Sequence, residues 1–263
     1  MKTDKTPNVA ARFRQQPQNR SLERGIGILR AFKPGADLLG NGELAERTGL
    51  SPATVSRLTQ TLVGTGMLEH DARNRAYRLA APVLSLAHAM RSGSPVLNVV
   101  APIMVKTAER LKVNVGLAVA DRDEMVYLES VRYNRKVSLR HVVAGQRVPI
   151  ELTSLGRAYL AALPEAQRLA VMTLIKHRRR AGWAAIQEEI ERAISSVNDH
   201  GYCAASWQPE VIAIATPVAV EGHPIYVLNM SVTSQADSTE IAKKMGPSLI
   251  ALKSVVQSAI GHL

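Results

Sequence analysis

The sequence predicts an α+β protein in two parts. A small unit of three helices is finished by a hairpin, and a larger domain built on a largely antiparallel sheet follows. Three observations carry this reading. Residues 43–62, ELAERTGLSPATVSRLTQTL, encode two short helices around a tight turn. The run Arg91-Ser92-Gly93-Ser94-Pro95 interrupts the chain with residues that disfavour continued helix. Beyond it, β-branched runs are joined by short turn sequences, the pattern of hairpins.

Taken in order, residues 1–20 are polar and basic and lack an apolar core, so no signal peptide is expected. They are read as a flexible basic arm. Ser21 is expected to cap a helix in which Leu22, Ile26, Leu29 and Phe32 recur at helical spacing and form its buried stripe. In the helix pair, Leu44, Ala45 and Thr48 share one side. Gly49 is placed for a left-handed C-cap, Ser51 for an N-cap, and Pro52 for the first helical position, where a missing N–H costs nothing. Val55, Leu58 and Leu62 then form the buried face of the second helix. Ala53, Thr54, Ser56 and Arg57 are left outward near its positively polarised N-terminal end. Two extended segments follow, the first opened by Met67 and Leu68 and the second being residues 76–79. They flank the turn chemistry of residues 70–75, and Arg73, Arg75 and Arg78 lie on or near this hairpin. Three helices and such a hairpin make a winged helix-turn-helix. Its second motif helix is placed for base edges and its wing arginines for phosphate or the minor groove.

Residues 81–90 carry Val83, Leu84, Leu86 and Ala87 on a short apolar stripe, either a face buried on the chain's own wing unit or, as the family resemblance given below implies, a seam with a second subunit. The second domain opens with a helix over residues 96–111 that is expected to kink at Pro102. Residues 114–120 and 125–131 read as a hairpin and 136–143 as a third strand. Helices are expected over 152–163, from Pro164 onward, and over 183–199, where Gly201 stops the chain. Strands at 211–216 and 225–232 flank a Gly222-His223-Pro224 turn, and a long amphipathic helix closes the sequence.

Charge is consistent with an anionic partner. The chain carries a net +11, of which +6 falls in residues 1–80, so positive charge is more than twice as dense there as in the remainder. A lone cysteine, Cys203, excludes an internal disulfide framework and suits a reducing cytoplasm. No apolar run approaches the roughly 18 residues of a membrane helix. The seven histidines show no pair at helical ligand spacing, so no metal is expected. A GxSxG elbow, a P-loop and a dinucleotide fingerprint are all missing, and no cofactor is expected. Thr153 and Ser154 open a helix, whose N–H groups favour a carboxylate, although Ser154 or Cys203 could instead serve an enzyme acting on a carboxylate or acyl substrate. Asn229 and Ser231 alternate with Leu228 and Met230 and so share a face, solvated or lining a polar pocket. The basic run at residues 176–180 reads as a solvated helix end.

SLERGIGILRAF, GELAERTGLSPATVSRLTQTLVGTGML and YRLAAPVLSLAHA resemble the N-terminal domain of IclR-type bacterial transcriptional regulators. VYLESV, AGQRVPIELTSLGRAYLAALP and GYCAASWQPEVIAIATPV resemble the family's effector-binding domain, in the same order, so the likeness runs from Ser21 to the C-terminus. It implies an arm at 1–20, a winged helix-turn-helix domain at 21–80, a linker helix and break at 81–95, and a GAF-like effector-binding domain at 96–263. It also implies a cytoplasmic regulator that binds a double-stranded DNA operator as a homodimer or a dimer of dimers, modulated by a small organic acid that is aromatic in one reading. On the family's pattern, Val137, Ser154, Leu155, Val211, Ala213, Asn229 and Ser231 fall on positions that line the effector pocket. Two departures stand out. The acidic run usual after Gly-Tyr is Ala204-Ala205-Ser206-Trp207-Gln208 here, and a glycine common before the AIA strand is Glu210. Without those acids the pocket is less hostile to an anion, and Trp207 either walls a planar ligand or packs in the core.

Overall fold

The computed structural model describes residues 19–133, 142–179, 181–205, 211–234 and 237–263. The chain divides after Ala89 into two compact units.

In the first unit, α1 (Arg20–Ala31) is followed by a two-residue strand β1 (Leu39–Gly40), α2 (Asn41–Thr48), α3 (Pro52–Gly64) and the strands β2 (Leu68–Asp71) and β3 (Ala76–Leu79). The strands form one small antiparallel sheet in the order β1-β3-β2. Sequence chemistry sets the helix ends. Gly49 adopts the left-handed conformation (φ 68°) and donates its N–H to Ala45 O, while Ser51 caps α3 with Pro52 at its first position. The first helix departs from expectation in two ways. Asn19, not Ser21, is its cap, its Oδ1 accepting from the Ser21 and Leu22 N–H groups at 3.1 Å each. The buried stripe is Gly25, Ile28, Ala31 and Phe32, with Leu29 partly buried beside it, whereas Leu22 is 63% exposed and Ile26 is exposed as well. Two overlapping stripes of helical period exist in this segment, and the unit's core of Leu39, Leu44, Val55, Leu68 and Tyr77 engages the one that includes glycine.

The helix α4 (Pro82–Ser92) buries none of its residues, and Leu84, Leu86 and Met90 are all exposed, so the expected alternative of burial on its own wing unit does not occur.

The second unit runs α5 (Pro95–Leu111), β4 (Asn114–Asp121), β5 (Glu124–Val131), β6 (Arg147–Pro149), α6 (Ser154–Ala162), α7 (Glu165–Arg178), α8 (Trp183–His200), β7 (Cys203–Ala205), β8 (Val211–Val218), β9 (Tyr226–Thr233) and α9 (Ser238–Gly261). Its sheet is antiparallel throughout, in the order β6-β5-β4-β9-β8-β7. Alternation along the strands builds two cores. Val115, Leu117, Ile214, Leu228 and Met230 face α5 and α9, and Ala118, Tyr127, Ala215 and Val227 face α6, α7 and α8. α5 continues through Pro102 as one helix. The third strand expected at 136–143 falls almost wholly outside the described residues, and the short β6 that closes the sheet edge was not foreseen.

Candidate nucleic-acid interface and small-molecule site

In α3, Val55 and Thr59 are fully buried, and the Thr59 hydroxyl is spent on the carbonyls of Val55 and Ser56, both at 3.0 Å. That buried side turns the opposite face outward. Ala53 and Arg57 are exposed, and Thr54 and Ser56 are half-buried. Thr54 is partly committed, since its Oγ1 lies 2.9 Å from Ser51 Oγ and its N–H donates to the same cap oxygen at 3.4 Å. Arg57 has no acidic partner among the described residues. Gln60, one turn further along, is exposed on the same face. It was not singled out from the sequence, although its spacing from Arg57 would have allowed it.

The hairpin of β2 and β3 separates its arginines into two kinds. Arg78 is ion-paired to Asp71 and is thereby neutralised within the wing. Asp71 also accepts the Asn74 N–H at 3.0 Å and its side-chain amide at 3.1 Å. These bonds to Asn74 first, and Arg78 after them, hold its carboxyl below the ordinary carboxylate range. Arg73 and Arg75 stand exposed in the turn with no acidic partner among the described residues. Arg75 adopts a left-handed backbone (φ 53°) that turns the chain there.

In the second unit, the start of α6 is held rigidly. Thr153 Oγ1 donates to Pro149 O at 2.8 Å and accepts the Gly156 N–H at 3.2 Å. A Cβ on Gly156 would stand 2.1 Å from Ile150 O, so only glycine lets the helix approach that backbone. Thr153, Ser154 and Leu155 are all buried. The N–H groups of Ser154 and Leu155 find no partner among the described residues. Around this start, buried Arg157 binds Glu151 O at 3.0 Å and pairs with Glu189, and Glu151, 0% exposed, receives Arg178 and Arg179. Arg178 also pairs with Asp123. Lys176, His177 and Arg178 are exposed, as expected of a solvated helix end, but the guanidinium groups of Arg178 and Arg179 are also held by a buried carboxylate, which the sequence did not show. Arg180 lies outside the described residues.

The sheet brings the other expected positions beneath α6. Cys203, Ala215, Asn229 and Gly116 are direct neighbours across β7, β8, β9 and β4, and Ala213, Ser231 and Asn114 form the adjacent row. The Cys203 thiol donates to Ser154 O at 3.5 Å, which fixes the α6 start over this end of the sheet. Burial pushes that thiol up to about 12, so it is no nucleophile near neutral pH. Ala213 is buried, while Val211 and Ser231 are half-buried. Asn229 is buried rather than solvated, and its Nδ2 donates to Tyr127 Oη at 3.4 Å. Val137 and Trp207 lie outside the described residues. Tyr127, Gly116 and Asn114 were missed from sequence, because only the strand register brings them to Asn229.

A winged helix-turn-helix joined to a second unit with helices on both faces of an antiparallel sheet defines a transcriptional regulator that binds DNA. Residues 21–72 match the IclR helix-turn-helix domain and residues 88–254 the bacterial transcriptional regulator IclR C-terminal domain, so the chain belongs to the IclR family. It is similar to the HTH-type transcriptional regulator TsaQ1/TsaQ2 of Comamonas testosteroni, with 34% identity over 245 residues, 90% of this chain and 86% of that protein. It also resembles the crystal structure of an IclR family transcriptional regulator from Brucella abortus, with a TM-score of 0.85, 35% identity and 95% of each chain covered. An IclR homolog from Microbacterium hydrocarbonoxydans, crystallised with 4-hydroxybenzoate, shares the fold with a TM-score of 0.67 at 22% identity, covering 92% of this chain and 100% of that one. The relatives are named as regulators, and the reading of the second domain as an enzyme has no support among them.

Proposed function

We propose that this regulator reads an operator through Ala53, Thr54, Ser56 and Arg57 in the major groove, with Gln60 at the edge of the same surface. Arg73 and Arg75 would grip phosphate from the wing. The observation that carries this reading is the shared exposure of Arg57, Arg73 and Arg75 on one small unit, each without an acidic partner among the described residues. The chain works in the cytoplasm as a homodimer or a dimer of dimers, its winged unit spanning 21–80, its linker 81–95 and its effector domain 96–263.

The effector is a small carboxylate whose anionic end meets the α6 start at Ser154. Its body lies against Leu155, Val211 and Ala213, and Ser231 and Asn229 supply polar contacts; Val137 is assigned to the same lining by family resemblance. Two N–H groups at a helix start favour an anion through direct hydrogen bonds and the helix dipole. The 4-hydroxybenzoate complex of the Microbacterium homolog supports an organic acid and makes aromatic acids the first to test. Operator binding responds only if the acid has unequal affinity for two DNA-binding geometries.

The test is selection of an operator from a random duplex pool, followed by DNA titration with and without a panel of carboxylates. A selected site should be preferred over random duplex, and one or more acids should shift its apparent affinity. Ser231→Leu should bind operator normally and lose the shift. An unchanged shift in Ser231→Leu would place the pocket elsewhere, and loss of operator binding alone would make Ser231 structural.

A further inference from the structure

Asn229 is 6% exposed, yet its Oδ1 has no hydrogen-bond partner among the described residues. Asn114 Oδ1, in the adjacent row, is also buried and unpartnered. Orphaned buried carbonyl oxygens of this kind are costly and uncommon. The orientation of the Asn229 amide follows from its surroundings. Oδ1 stands 2.3 Å from where a Gly116 Cβ would be, against the glycine's Cα hydrogen, a place that suits an acceptor and not an NH2 group. Nδ2 donates one of its two hydrogens to Tyr127 Oη. The Tyr127 phenol is buried, and its pKa is pushed above the ordinary value by desolvation, so it keeps its proton. Because its oxygen accepts from Asn229, that proton has no acceptor among the described residues. The absent Gly116 side chain makes room for both groups, since an added Cβ would also come 2.5 Å from the Tyr127 ring. Thr233 is exposed, Ser231 half-buried and Asn229 buried, so this face of β9 leads inward from solvent.

Resting on the carboxylate reading above, we infer that the effector is a hydroxy acid whose hydroxyl, remote from its carboxylate, donates to Asn229 Oδ1 and accepts from Tyr127 Oη. The register sets the remoteness. Cys203, beneath Ser154, is separated from Asn229 by two strand spacings, about 10 Å between Cα atoms. A hydroxyl on the carbon next to the carboxylate would not bridge them. Asn114 Oδ1 is a second acceptor on the approach.

Calorimetry on the full chain with five probes tests this: 4-hydroxybenzoate, benzoate, 4-methoxybenzoate, 4-hydroxybutyrate and butyrate. In each skeleton that binds, the hydroxy acid should bind roughly 10–100-fold more tightly than its parent. The methoxy compound, which accepts but cannot donate, should gain nothing over benzoate. Asn229→Leu should erase the hydroxyl preference, so that the hydroxy acid binds no more tightly than its parent. Tyr127→Phe, which retains the ring, should lower the preference about tenfold should the leucine variant fail to fold. Thermal unfolding of both variants, followed by circular dichroism, reports the folding of the second unit. An acid that binds equally well with and without its hydroxyl overturns this inference and leaves the carboxylate reading standing. No binding by any of the five overturns both.

Discussion

Arg57 shows what a residue-scale argument can decide. It lies on the solvent side of α3 because Val55 and Thr59 are fully buried, and nothing acidic among the described residues competes for its guanidinium. If it reads a guanine bidentately, Arg57→Ala should cost on the order of 1–3 kcal/mol on the selected operator and little on random duplex. Titration of both duplexes measures the difference, and equal losses would make Arg57 a phosphate contact. The residues around it were legible in the sequence because they act locally. Gly49, Ser51 and Pro52 need only their immediate neighbours to mark a helix stop and a helix start. Asn19 and the Leu22–Ile26 pair were misread for a related reason. Two cap residues lie two positions apart, and two apolar stripes share one helix, so tertiary packing and not periodicity decides between them. Tyr127 and Gly116 were illegible for the opposite reason. Their meaning depends on Asn229, more than a hundred positions away, and no local pattern carries strand register.

At the scale of elements, the wing and the clasp at the α6 start make separate predictions. The turn between β2 and β3 presents Arg73 and Arg75, while Arg78 is occupied by Asp71. Replacing Arg73 and Arg75 together by Ala should weaken binding to all sequences about equally and flatten the dependence of log affinity on log salt by close to two contacts' worth. A collapse of selectivity at constant salt slope would mean that the wing reads bases. In the clasp, Glu151 is fully buried, whereas Arg178 and Arg179 reach water. Deleting both arginines strands a buried charge, and Arg178→Ala with Arg179→Ala should cost about 3–5 kcal/mol. Glu151→Gln leaves cations that can turn to solvent and should cost only about 1–2 kcal/mol. Denaturant unfolding compares the two, and equal losses would mean that the arginines are not what tolerates Glu151 in the interior. The sequence did show a basic run here. It did not show that Glu151, in a turn before α6, is buried and calls two of those charges inward.

At the scale of the whole molecule, α4 is the element that bears on assembly. An eleven-residue helix that buries nothing is too short to be stable in water on its own propensity. Leu84 is 75% exposed and Leu86 and Met90 are more than half exposed, so the helix holds apolar surface in reserve. A dimer that uses this helix as its seam would bury that surface and present two recognition helices to a two-fold operator. One winged unit makes a small contact for tight selective binding, so under the proposed dimer recognition is expected to depend on assembly. Leu84→Asp with Leu86→Asp should therefore give monomers by sedimentation and should lower operator affinity far more than affinity for random duplex. Binding of the proposed effector, assigned above to residues of the second unit alone, should persist in the same variant. A double variant that still sediments as a dimer would place the seam elsewhere. A monomer with undiminished operator selectivity would break the coupling between assembly and recognition.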